Sequence, residues 1–200
     1  MLLMYDDRNT LMKFLTLLLL TLLPLHADPG EKIVAAARKQ IGVTTSYVPD
    51  YVPLDFPNGD VPRGGGVCTD VVIRALRDGL STDLQKLVNE DMRGNFSAYP
   101  KNWGLGKPDK NIDHRRVPNL QTYFKRQGWQ IALPANHDPA AFHTGDIVTC
   151  TVPPNLPHVM IVSDKKSDAG VPFVIHNIGG GTREENRLFE FPLTGHYRMK

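Results

Sequence analysis

From Asp28 onward the apolar positions fall first at helical and then at strand spacing. Asp28-Pro29-Gly30-Glu31 offers an acidic N-cap, a proline at the first helical position and a glutamate three residues on. Ile33, Val34, Ala37 and Ile41 then recur with helical periodicity until Gly42. Pro49 to Gly66 is rich in proline and glycine and reads as loop. Directly after Gly64-Gly65-Gly66, the stretch Cys68 to Gly79 sets Val72, Ile73, Ala75 and Leu76 on one side, with Arg74, Arg77 and Asp78 elsewhere, which predicts a second helix. A third starts at Thr82 with Gln85 as capping partner and buries Leu84, Leu87, Val88 and Met92. Residues 94–116 are polar, Gly/Pro-rich and longer than an ordinary connection, the mark of a functional loop. A fourth helix runs from Pro118 to Gln127 and stops at Gly128.

Beyond that point the period changes. Ile147–Val152, His158–Val162 and Pro172–His176 are short β-branched runs separated by Pro153-Pro154-Asn155 and by the polar segment Asp164 to Gly170. Arg187–Phe191 and His196–Met199 are read as two further strands, and Gly179-Gly180-Gly181 as a hairpin loop bordering the cleft. Helices first and antiparallel strands afterwards give an α+β domain, the N-terminal helices packed on the C-terminal sheet. No repeat, low-complexity tract or linker divides residues 28–200, so a single domain and a monomer are expected.

Ahead of this domain lies a different pattern. Phe14 to Leu23 is apolar except for Thr16 and Thr21, follows Lys13 and precedes Pro24-Leu25-His26-Ala27. A basic start, a short apolar run and a small residue before the cut describe a secretory signal peptide over residues 1–27. A membrane span needs about 20 apolar residues, so no integral span is expected. Asp6 and Asp7 stand where such leaders carry positive charge, which makes residues 1–11 read as an upstream-start artefact. The expected location is periplasmic or secreted.

Composition narrows the function. With 23 Lys+Arg against 21 Asp+Glu, the net charge of +2 gives no support to nucleic-acid binding, which usually shows as a dense basic patch. The 41% hydrophobic and 22% charged fractions exclude a disordered chain. The two cysteines, Cys68 and Cys150, lack CxxC spacing, and His114, His137, His143 and His196 have no metal-site spacing, so neither metal nor cofactor is implied. Cys68 begins a helix, where backbone N–H groups and the helix dipole favour a thiolate. A small buried hydrophobe on an amphipathic helix fits the same position. His158 opens one strand and His176 closes the next, so neighbouring strands would bring two imidazoles together, one as base and one orienting it. Cys150 shares a strand face with Val148 and Val152 and reads as a core thiol. A Cys68–Cys150 disulfide in an oxidising compartment competes directly with Cys68 as nucleophile.

Gly66-Val67-Cys68-Thr69-Asp70, Gly145-Asp146-Ile147-Val148, Pro157-His158-Val159-Met160-Ile161-Val162 and Ile175-His176 together resemble the papain-like cell-wall peptidases of the NlpC type. Over residues 31–200 the chain resembles more closely a family of secreted bacterial proteins known as a domain of unknown function. That likeness rests on Gly66-Val67-Cys68-Thr69-Asp70, Asp113-His114-Arg115-Arg116, His176-Asn177-Ile178-Gly179 and Gly195-His196-Tyr197-Arg198. The peptidases usually carry Asp-Cys-Ser-Gly where this chain has Val67-Cys68-Thr69-Asp70, a departure that bears on substrate choice.

The resemblance implies a papain-like fold and hydrolysis of an amide bond in peptidoglycan stem peptides, or another peptide, through a Cys68 thioester. His158 would be the base and His176 its orienting partner. The oxyanion would be met by the Cys68 N–H and by an upstream tyrosine, for which Tyr51 is favoured over Tyr47. Asp70 reads as a first-turn helix acid. Asp113-His114-Arg115-Arg116 reads either as a solvated turn or as a reader of substrate carboxylates, to which the arginine fork is suited. An acyltransferase or transpeptidase on the same dyad and a non-catalytic cell-wall binding module are the alternatives.

Overall fold

A computed structural model describes residues 28–199, and the signal peptide expected over 1–27 lies outside them. Helix α1 spans Pro29–Arg38, with the Asp28 carboxylate accepting from the Gly30 N–H at 3.1 Å. Its first turn lies so close to the chain entering the sheet that a Cβ on Gly30 would sit 2.1 Å from the Thr144 carbonyl oxygen. Ile41, expected on this helix, lies in the turn beyond it and is exposed.

A two-residue strand β1, Ser46–Tyr47, pairs in parallel with β2, Gly65–Gly66, and α2 follows over Cys68–Leu80. Helix α3 covers Leu84–Asn95. Its cap is Asp83 and not Thr82: the Asp83 carboxylate accepts from the Gln85 N–H at 3.0 Å, while the Gln85 side chain donates to the Asp55 and Lys110 carbonyls. Helix α4 is Val117–Arg126.

Six antiparallel strands complete the domain: β3 Gln130–Ile131, β4 Ile147–Val152, β5 Leu156–Lys166, β6 Pro172–Asn177, β7 Thr182–Glu185 and β8 Leu193–Tyr197, in the order β3-β8-β4-β5-β6-β7. The expected strand Arg187–Phe191 is a turn whose Leu188 is buried, and the last strand begins three residues earlier than expected. Strand β7 was not anticipated, because Thr-Arg-Glu-Glu has no apolar alternation to reveal it.

Alternation along the strands separates two cores. Ile147, Val159, Ile161, Ile175 and Tyr197 face the helices and pack with Val72, Leu76, Leu120 and Phe124. Val148, Cys150, Val152, Met160, Val162 and Val174 form the other face, closed by Phe142 and Leu188. The fold is α+β, helices packed on an antiparallel sheet, with a helix-start cysteine meeting a strand that opens near a histidine. Cys68 belongs to the first core and Cys150 to the second; both are free thiols, which removes the expected competition from a Cys68–Cys150 disulfide. No helix among the described residues is long and apolar enough to cross a membrane, and they contain no cluster of side chains fit to hold a metal ion.

Candidate active site

The start of α2 is fixed by polar groups that would otherwise be orphaned. The Val67 N–H donates to the Asp70 carboxylate at 2.7 Å, closing the first turn from inside. Arg115 grips the same carboxylate with both arms of its fork, Nε to Oδ1 and Nη2 to Oδ2, each at 2.9 Å. Its remaining donors reach the Asp50 carbonyl at 3.0 Å and the Val48 carbonyl at 3.1 Å. From the sheet, the Asn177 amide donates to the Gly66 carbonyl at 3.0 Å and to the Ser46 carbonyl at 3.1 Å. Helix start, β1 and the end of β6 are thereby locked into one unit.

Cys68 sits at that junction, 3% exposed, on the floor of a 370 Å³ cleft shared with Tyr47, Trp103, Arg116 and Pro157. Burial pushes its thiol up to about 11. The N–H groups of Val159 and Thr69 and the Tyr47 hydroxyl pull the other way, and the Asp70 charge adds to the rise. Burial likewise drives Tyr47 upward, with the Cys68 sulfur contributing. Of the two tyrosines weighed from the sequence, Tyr47 lines the cleft with the thiol. The favoured Tyr51 does not: it is 57% exposed and its hydroxyl is engaged by Asp109 at 3.1 Å and Asn111 at 2.9 Å.

Val159, the residue following His158, packs in the same core as Cys68. His158 shares the sheet face of Met160 and Val162 and lines a second cleft of 270 Å³, with Leu156, Ile178 and Gly179. Tyr47 and Pro157 border both clefts and form the ridge between them. His158 Nε2 lies 2.8 Å from His176 Nδ1, and His176 Nε2 lies 3.1 Å from a Glu185 carboxylate oxygen. Among the described residues no hydrogen bond joins Cys68 to His158. Burial, the neighbouring imidazole and Arg187 depress His158 to about 3; His176 is lowered by burial against the opposing bond and charge of Glu185. Thiol and imidazole are therefore both neutral at rest. Glu185 was invisible in the sequence, carried by the strand that lacks an apolar pattern.

The Asp113-His114-Arg115-Arg116 segment is neither a solvated turn nor, as a whole, a reader of carboxylates. Asp113, His114 and Arg115 are buried in a 3₁₀ turn. Asp113 accepts from the Asp109 N–H at 2.6 Å and from Arg116 at 3.0 Å, and burial drives His114 down to about 3. Arg115 and Arg116 both line the cleft, and the Arg116 guanidinium lies 4.1 Å from the centre of the Trp103 ring. A second buried cluster, His196 and Arg198 on Asp146 at 2.6 and 2.7 Å, ties β8 to the turn before β4 away from the clefts.

Residues 34–199 match the sequence profile described as Domain of unknown function (DUF1287). The chain belongs to the DUF1287 family. Within this DUF1287 segment lie Cys68, Tyr47, both histidines, Glu185 and the Arg115–Asp70 pair. The chain is also similar to the uncharacterized protein YijF of Escherichia coli (strain K12), with 49% identity over 178 residues, covering 89% of this chain and 85% of that protein. Among solved structures it is similar to NlpC1 from Trichomonas vaginalis at 13% identity and a TM-score of 0.44, a match that covers 86% of this chain and 44% of that one.

Proposed function

We propose that the chain is an exported bacterial cysteine hydrolase that cleaves an amide bond in peptidoglycan stem peptides through a Cys68 thioester. The observation that carries this reading is a helix-start thiol on the floor of a cleft, packed in the same core as Val159, the residue that follows His158. In the proposed reaction the Cys68 sulfur bonds to the amide carbonyl carbon while its proton passes to His158. The Cys68 N–H and the Tyr47 hydroxyl receive the oxyanion. The C–N bond then breaks, and the amine leaves with the proton that His158 held. Water attacks the thioester, His158 takes a proton from it, and carboxylate product and free thiol result.

Because thiol and imidazole are both neutral at rest, the proton moves as the carbonyl is attacked, with no stored ion pair beforehand. Arg116, which bonds Asp113 through Nη1 and lies over Trp103 in the cleft, is the cation offered to a substrate carboxylate, since Arg115 directs both arms of its fork to Asp70. Export rests on the leader pattern of residues 1–27.

Purified peptidoglycan incubated with residues 28–200, and with Cys68→Ala and His158→Ala variants, tests the proposal when soluble fragments are identified by mass. Release by the unaltered chain alone supports it; equal release by all three refutes the dyad. One observation favours a second reading, a binding module without turnover: no hydrogen bond joins Cys68 to His158 among the described residues. That reading predicts that all three proteins sediment with peptidoglycan and none releases fragments.

A further inference from the structure

The His158–His176 contact ends on Glu185, and that ending decides which nitrogen of His158 is the base. A carboxylate only accepts hydrogen bonds, so the His176 nitrogen facing Glu185 Oε2 at 3.1 Å, Nε2, carries the proton. His176 is buried and neutral, so it has one N–H, and its Nδ1 is a lone pair. That lone pair lies 2.8 Å from His158 Nε2, which must then be the donor. The proton of His158 is thereby placed on Nε2, and Nδ1 is its basic atom. We propose that Glu185 is a positioning residue of the site, fixing the tautomers of both imidazoles so that His158 Nδ1 is the lone pair that takes the Cys68 proton. The base assignment rests on the hydrolase reading, whereas the tautomer assignment does not.

The surroundings support this geometry from every side. Arg187 approaches the same Glu185 oxygen at 3.7 Å but directs Nε and Nη2 to Glu190 at 2.6 and 3.0 Å, so the Glu185 bond to His176 is not displaced. Cys150, the cross-strand neighbour of His158 on β4, is a buried thiol that burial holds up at about 12, and it adds no charge there. Glu185 itself stands on the edge strand β7, opposite Val174 and partly exposed, where a change of side chain leaves the core untouched.

Histidine-selective ¹⁵N NMR of the resting protein near pH 8 reads the tautomers directly, without substrate. In the unaltered chain both rings are expected to carry the proton on Nε2. Glu185→Ala removes the acceptor, and a substantial share of His158, on the order of one half, should move its proton to Nδ1. Glu185→Gln keeps an amide oxygen that can accept from His176 and should preserve the original pattern, which separates positioning from a merely structural role. In peptidoglycan digestion Glu185→Ala should lower kcat about tenfold with KM unchanged, and Glu185→Gln should restore most of it. A proton on Nδ1 of His158 in the unaltered chain, or unchanged tautomers in Glu185→Ala, would overturn the assignment. Silence of the unaltered chain toward peptidoglycan would count against the hydrolase reading alone, since the NMR pattern stands without turnover.

Discussion

Arg115 and Arg116 are adjacent in sequence and differ in what they hold, so replacing each with alanine should give opposite phenotypes. Arg115→Ala removes four hydrogen bonds: two to the Asp70 carboxylate and one each to the Asp50 and Val48 carbonyls. Both ends of the pair are nearly enclosed, with side-chain exposures of 2% and 4%, so water does not replace what is lost. Breaking such a pair from one side costs about 3–5 kcal/mol, because the surviving carboxylate remains buried with only the Val67 N–H as partner. A domain holds about 5–15 kcal/mol in total, so the loss is a large share of its stability. At roughly 2–4 °C per kcal/mol for a chain of this size, the melting temperature should fall by about 6–20 °C. Arg116→Ala should lower it by less, roughly 2–4 °C for about 1 kcal/mol, since Asp113 loses one ion-pair partner but keeps the Asp109 N–H and the Asn119 amide. Thermal unfolding followed by tryptophan fluorescence measures both shifts, and urea unfolding gives the matching free energies. An Arg115→Ala loss below about 1 kcal/mol would refute the reasoning that this arginine is a structural tie.

Other outcomes are as specific. Arg116→Ala should raise KM for carboxylate-bearing stem peptides about tenfold with kcat little changed, read in steady-state kinetics against an amidated substrate that shows no such change. Tyr47→Phe should reduce kcat by about 10²–10³ if its hydroxyl meets the oxyanion, while Tyr51→Phe should leave turnover intact. Iodoacetamide labelling of Cys68 should be slow at neutral pH and rise about tenfold per pH unit toward the thiol's value near 11, because burial keeps the thiolate scarce below it; a plateau near pH 7 would contradict this. Unreduced protein unfolded in denaturant should titrate two thiols, and Cys150→Ala should retain fragment release.

Periodicity revealed those elements with an apolar face. Ile33, Val34 and Ala37 marked α1, Val72, Ile73 and Leu76 marked α2, and the β-branched runs marked β4, β5 and β6. What stayed hidden was held by polar contacts between distant residues. Strand β7 owes its place to pairing with β6, and no local pattern in Thr182-Arg183-Glu184-Glu185 could announce it. Leu188 is in the core because a turn folds it there, so Arg187 to Phe191 resembled a strand by composition only. Cys68, His158 and His176 were legible because a helix start and two strand ends are local features, and the structure joins the two imidazoles while Cys68 lines the neighbouring cleft. The arginines were not, because a charged loop segment looks the same whether it is solvated or, like Arg115, closed over a carboxylate 45 positions away. Choosing between Tyr47 and Tyr51 required the two-residue parallel ladder with Gly65–Gly66, a contact too short to leave a sequence pattern.

The proposed thioester is open to direct observation. Residues 28–200 mixed with a defined stem peptide, quenched in acid within the first turnovers and analysed by intact mass and peptide mapping, should carry the acyl fragment on the peptide containing Cys68. The adduct should be absent from Cys68→Ala and should disappear as product accumulates. Product formed at the full rate by Cys68→Ala, or an adduct on any other residue, would contradict the account.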